Sequence, residues 1–137
     1  MAKLGQYGEA LEQMTEQEVF DVTVRHLLEQ GEQSLLSVAD TPPAAFGQAL
    51  CAYSGTDGLC CAAAPFIRKY STDLERTIWQ EVIDTGAASS ANMDLITRLQ
   101  RVHDTKQVEK WYSCLSSVAE VFKLNTKILE EYSSVSK

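Results

Sequence analysis

CAYSGTDGLCCAA, residues 51–63, gathers three cysteines, a tyrosine and a glycine-aspartate turn into one short stretch, and the fold class depends on how that stretch is read. Gly55-Thr56-Asp57-Gly58 has the composition that reverses two antiparallel strands, so residues 49–53 and 59–63 are expected to pair as a short β-hairpin. Side chains alternate across a strand. In that register Cys51, Tyr53, Cys60 and Ala62 share one face, and Ala52, Ser54, Leu59 and Cys61 the other. Alanine and cysteine are weak strand formers, so the hairpin rests on its turn.

Everything outside the hairpin reads as helix or connection. Thr15 and Glu18 form a T-x-x-E capping box, Phe20, Val24, Leu27 and Leu28 fall on one face, and Gly31 can close the last turn in the left-handed conformation. The spacing predicts a helix over 16–30. Before it, residues 1–14 have weak apolar periodicity and two glycines, and are expected to form a flexible arm with a partial helix at 9–14. After it, Thr41-Pro42-Pro43 removes backbone donors and marks 32–48 as a connecting loop.

Thr72 and Glu75 make a second capping box, and Leu74, Ile78, Trp79, Val82 and Ile83 predict a helix over 73–84 that stops at Gly86. A third is expected after a cap at Ser90 or Asn92, with Leu95, Ile96, Leu99, Val102 and His103 on its inner side and its end near Asp104. Asp104 and Gln107 offer a further cap. Val108, Trp111, Tyr112, Leu115, Val118, Ala119 and Phe122 then recur every three or four residues and predict a helix over 106–123. A last one follows Asn125, with Ile128, Leu129 and Tyr132 as its apolar side. The chain is therefore expected to be one mainly α (α+β) domain over 15–134, about five helices packed with one short antiparallel hairpin.

Composition narrows the function classes. A chain of 137 residues, 45% of them hydrophobic, can bury one core, and no apolar run approaches the length of a membrane span. The net charge is -7, and the acidity is concentrated in the first third, where only Lys3 and Arg25 oppose eight carboxylates over residues 1–50. No dense basic patch exists to displace counterions from phosphates, so neither nucleic acid nor membrane is an expected partner. The start, MAKLGQYGEALEQM, lacks the apolar region of a signal peptide, and a cytoplasmic location is expected. Its thiols would be free there rather than paired.

Two constellations carry candidate chemistry. Cys51 and Cys60 could approach each other, and His103 and Cys114 could complete four metal ligands, but paired C-x-x-C spacing is absent and buried cysteine ordinarily packs as a small apolar residue. No metal or other cofactor is expected. His103-Asp104 is the second. A histidine beside a carboxylate can act as a general base on Tyr53, Ser54 or a cysteine, although a histidine and an aspartate at a helix end equally serve as structure and cap. His26, beside Arg25, reads as partly exposed structure. Trp79, Trp111 and Tyr112 lie at core spacing, and no phosphate-binding loop, nucleophile elbow or HExxH motif occurs.

The order of these features resembles a family of small uncharacterised bacterial and phage proteins, with a CxYxxxDGxxCA hairpin, a Trp-containing helix and an LQxxHD helix end. Here those positions are Cys51, Tyr53, Asp57, Gly58, Cys61 and Ala62, then Trp79, then Leu99, Gln100, His103 and Asp104, then Trp111. The resemblance spans roughly residues 17–125, and because proteins of this size are also frequent among mobile integron gene cassettes, a cassette-encoded protein is an expected source. Ser54 and Cys60 stand where that family commonly has basic residues, and Ala64 where it has glycine, which weakens any anion-binding role for the hairpin. The family implies a fold and no activity.

The function expected from sequence is a non-catalytic cytoplasmic binding or assembly protein, with a second copy of the chain or another protein as partner, since a hairpin leaves two strand edges to be covered. The alternative is a small enzyme or small-molecule binder with a pocket near Tyr53, His103, Asp104 and Trp111.

Overall fold

In the computed structural model the chain is described over residues 2–35, 52–55, 58–75, 77–105 and 107–132. Among the described residues there are five α-helices: α1 Glu16–Gln30, α2 Trp79–Asp84, α3 Met93–Thr105, α4 Trp111–Phe122 and α5 Lys127–Glu130. α3 packs against α4 and α1, and α1 also meets α4 and α5. The core between them is built from Phe20, Leu27, Leu95, Leu99, Trp111 and Leu115, all essentially removed from solvent.

α1 has the limits its sequence predicts. The Thr15 hydroxyl accepts the Glu18 amide at 3.1 Å while the Glu18 carboxylate accepts the Thr15 amide at 2.9 Å. Gly31, at φ 67°, closes the helix by donating to the Leu27 carbonyl. Its buried side is wider than the apolar stripe, because Thr23, His26 and Gln30 are covered as well. His26 is therefore fully buried rather than partly exposed.

The expected helix over 73–84 divides in two. A single 3-10 turn spans Thr72–Leu74, Glu75 turns extended at ψ 141°, and α2 begins only at Trp79. Glu75 does not close a capping box. Its carboxylate instead accepts the Tyr53 and Ser54 amides at 2.8 and 3.0 Å and the Tyr70 hydroxyl. The expected 106–123 helix also starts late, with a 3-10 turn at Val108–Lys110 ahead of α4, which Lys123 ends in the left-handed region at φ 57°.

The hairpin expected at 49–63 is not seen as strands. An isolated antiparallel bridge joins Ser54 with Cys60, and the Gly55 amide donates to the Leu59 carbonyl across the reversal. Residues 49–51, 56 and 57, and the Thr41-Pro42-Pro43 loop, lie outside the described residues. The segment from Cys60 to Ile67 is buried almost throughout and includes a 3-10 turn at Ala64–Phe66. A buried backbone must find partners, and here helix side chains supply them in place of a neighbouring strand. Gln30 binds both sides of Cys60, accepting its amide at 3.1 Å and donating to its carbonyl at 3.0 Å, and Gln100 accepts the Ala63 amide at 2.9 Å.

Residues 2–13 lie against this segment. The Gly5 and Tyr7 amides donate to the Ala64 and Pro65 carbonyls, and Leu11 is completely buried. Gly8 permits the approach, since a Cβ there would overlap the Ile67 carbonyl oxygen and the Arg68 backbone. Both obstacles are main chain and cannot rotate away. Gly8→Ala is expected to destabilise the protein by about 1–3 kcal/mol, the range for overpacking a filled site, read from urea unfolding midpoints. An unchanged midpoint would show that the contact contributes nothing to the fold.

Candidate functional site

The two histidines, natural candidates for chemistry, are both held as structural links. His103 is fully buried in the last turn of α3, stacked on Trp111 with ring centroids 5.7 Å apart. Its Nε2 accepts the Ser34 amide at 2.9 Å, which places the ring proton on Nδ1, where it meets the Asp104 carboxylate at 2.7 Å. A general base needs a lone pair free to take a proton, and this one is engaged by backbone. Gln33 reinforces the link by donating to the His103 carbonyl at 2.8 Å.

His26 does the same for the cysteine segment. Nδ1 accepts the Ala2 amide at 3.2 Å, so Nε2 carries the proton and donates to the Cys60 and Cys61 carbonyls at 3.0 and 3.2 Å. The Cys60 thiol lies 3.4 Å from the same nitrogen. A nucleophilic pair would need a thiolate beside an imidazolium. Burial drives both groups the other way, lowering the basicity of His26 and pushing the Cys60 thiol up to about 11. Burial likewise holds the thiol of Cys61, fully buried, well above its ordinary range.

Of the four residues weighed as metal ligands, three are described. Cys60 adjoins His26 rather than His103, Cys114 sits half-buried on α4, and Cys51 lies outside the described residues. Among the described residues no group of three or more histidine, cysteine or acidic side chains is placed to hold a metal ion.

A cleft of about 250 Å³ opens between the Tyr53 turn, the start of α2 and the outer side of α3. Tyr53 and Trp79 form its aromatic wall, their rings tilted 46° with centroids 6.5 Å apart, and Ile78, 65% exposed, stands at the rim. The polar side consists of Thr77 and, along α3, Thr97, Gln100, Arg101 and Asp104. Tyr53 is fixed at both ends: Glu75 holds its amide, and its hydroxyl donates to the Thr77 carbonyl at 2.7 Å. Burial raises the pKa of that hydroxyl, so it stays protonated as a donor. The Trp79 indole N–H, buried in the wall residue, has no hydrogen-bond partner among the described residues.

Of the expected pocket residues, then, Tyr53 and Asp104 line one cleft, whereas His103 and Trp111 pack in the core behind it. Trp79, Gln100 and Arg101 belong to the cleft and were not among the sequence candidates. Trp79 matched a core stripe, and the sequence signal that sets it apart, its place after a broken helix, is visible only once Glu75 is seen to bind elsewhere. A second groove of about 450 Å³ continues along α3 from Thr97 and Arg101 to Met93, Arg98 and Phe122. Comparison of the chain with known protein families, with curated proteins and with solved structures finds no match.

The wiring predicts two measurable behaviours. At pH 8, brief alkylation of the native protein followed by peptide mass spectrometry should modify Cys114 well before Cys60 or Cys61, which react only on unfolding; early labelling of Cys60 would contradict its burial. The second concerns pH. His26 has a folded pKa below its ordinary value of 6.5, so its neutral form stabilises the fold fully above that pH. As pH falls below 6.5 the unfolded chain takes up the proton first, and stability drops by at most about 1.4 kcal/mol per pH unit until the folded pKa is passed. Urea midpoints at pH 7.5 and 5.5 should therefore fall more for the wild type than for His26→Gln. Equal falls would refute the assignment.

Proposed function

We propose that this chain is a non-catalytic binding protein whose ligand is a small molecule held in the cleft between the Tyr53 turn, α2 and α3. The observation that carries this reading is the unpartnered indole N–H of Trp79. A buried donor without an acceptor costs about 1–3 kcal/mol, and such a group in a native fold calls for an explanation. An acceptor on a ligand that displaced the groups covering this N–H would supply one. Concave, partly aromatic walls with a few convergent polar groups are the usual form of small-molecule sites, and about 250 Å³ suits a compact ligand.

The catalytic alternative is weaker on the same geometry. Both nitrogens of His103 are committed, and the Cys60–His26 contact joins two neutral groups. The expectation of a dimer rested on unpaired strand edges, and the described residues carry isolated bridges rather than strands. Small-molecule binding is thus the reading with a site behind it.

Trp79 provides its own reporter. In proton–nitrogen correlation spectra the protein shows two indole signals, from Trp79 and Trp111, assigned through Trp79→Phe. Titration with a library of small polar-aromatic compounds should shift the Trp79 signal selectively and leave that of Trp111, in the core, near its place. A library that binds but moves only signals away from the cleft would place the site elsewhere; one that binds nowhere at millimolar concentration would remove the small-molecule reading.

A further inference from the structure

His26 joins two parts of the fold, and its ring nitrogens play opposite roles. Nε2 donates to the Cys60 and Cys61 carbonyls at 3.0 and 3.2 Å and ties α1 to the core segment, whereas Nδ1 accepts the Ala2 amide at 3.2 Å and ties α1 to the N-terminal residues. A neutral imidazole offers one donor and one acceptor, and a protonated one offers two donors. The added proton therefore falls on Nδ1 and sets two N–H groups against each other on the arm side. On the other side the bonds to the carbonyls are kept and become charge-assisted. The ring yields to acid in one direction only.

Residues 2–4 are the part that this frees. Lys3 and Gln6 bond to each other within the arm, and the Gly5 and Tyr7 amides, donated to Ala64 and Pro65, hold the chain to the core segment from there on, with Leu11 completely buried. Those anchors involve no histidine. Leu4, partly buried, is the apolar contact that opening gives up. Ala2 also covers a thiol: its carbonyl lies 3.7 Å from Cys60 Sγ, and Cys60 is only 3% exposed. A cleft of about 320 Å³, lined by Ala2, Gln6, Tyr7 and the α1 residues Asp21, Arg25, His26 and Glu29, brings solvent to this corner. We infer that protonation of His26 releases residues 2–4 and bares the Cys60 thiol, a latch that opens in acid while the helical core stays closed.

The surroundings set the direction of the response. Burial holds the basicity of His26 below its ordinary value of 6.5, the two carbonyls oppose that effect, and the positive amino group of the chain and His103 add to it. Asp21 and Glu29 bring negative charge to the same cleft and Arg25 positive charge, while Cys60 and Cys61 face the ring as thiols that burial keeps neutral. With residues 2–4 released the ring meets water and its pKa returns toward 6.5, so the open form binds the proton more tightly than the closed one. As pH falls below that value the open fraction grows, by at most about tenfold per pH unit, until the pKa of the closed form is passed.

The test is alkylation of the full chain with N-ethylmaleimide at pH 7 and pH 5.5, each rate divided by that of the urea-unfolded chain at the same pH. Fragmentation of the labelled peptide separates Cys60 from Cys61. The quotient for Cys60 is expected to rise by roughly threefold to tenfold at the lower pH, and that for Cys61 to stay at its pH 7 level. His26→Gln keeps the amino group and the carboxylates of the cleft and should remove the rise. Ala2→Pro has no amide hydrogen to give and leaves α1 untouched, so its Cys60 quotient at pH 7 should already approach that of the wild type at pH 5.5. A Cys60 quotient that ignores pH, or one that still rises in His26→Gln, overturns the latch. A parallel rise at Cys61 overturns it too, because the whole fold then opens rather than the arm. If circular dichroism shows that His26→Gln does not fold, Ala2→Pro decides: a quotient equal to that of the wild type at pH 7 overturns the proposal.

Discussion

The bidentate grip of Gln30 on Cys60 is the interaction on which the interior depends. A stretch of chain without regular structure passes through the core, and every amide and carbonyl it buries must be matched or the fold loses about 1–3 kcal/mol for each. Gln30 offers one acceptor and one donor in the plane of an amide, so it pairs with a residue of this stretch as a neighbouring strand would. His26, one turn earlier on α1, takes the Cys60 and Cys61 carbonyls, Gln100 on α3 takes the Ala63 amide, and Glu75 takes those of Tyr53 and Ser54. Helices on different sides of the core are thus tied to one another through a segment that belongs to neither.

This explains the small residues of that segment. Cys60, Cys61, Ala62, Ala63 and Ala64 are all buried, and larger side chains there would hold the helices too far away for a glutamine or histidine to reach the backbone. The thiols need no partner chemistry to account for them. Gly55 extends the same logic to the turn, where a Cβ would collide with the Ser34 side chain and the Leu35 backbone. Ser34 in turn accepts the Ala52 amide at its carbonyl and gives its own amide to His103.

Legibility in the sequence followed the kind of interaction involved. α1 could be read to the residue because its limits are set locally, by a capping box and a left-handed glycine within the same few residues. The apolar positions of α3 and α4 were legible for the same reason. What could not be read were elements whose polar side chains bind far along the chain. Glu75 has the spacing of a cap, yet two amides and a hydroxyl elsewhere compete for it. Thr23, His26 and Gln30 do recur at helical spacing beside the apolar stripe, and that polar row was the available sign that α1 is buried over a wider arc. The pocket residues divide for a related reason: Asp104 and Tyr53 line the cleft, while the neighbouring His103 is buried with its ring bonded to the Ser34 amide.

The break before α2 links the fold to the cleft. In an uninterrupted helix over 73–84 the Thr77 carbonyl would accept the amide of Glu81; in this protein that amide bonds to Ile78 and the Thr77 carbonyl receives the Tyr53 hydroxyl. Glu75 makes the break by leaving the helix for Tyr53 and Ser54, so one carboxylate both anchors the turn and frees the acceptor that orients the tyrosine. Trp79 then begins a new helix beside that ring, with its N–H outside any helical or side-chain pairing among the described residues. The cleft wall thus follows from the diverted carboxylate. A sequence that restored the helix would close the site by removing Tyr53 from its wall.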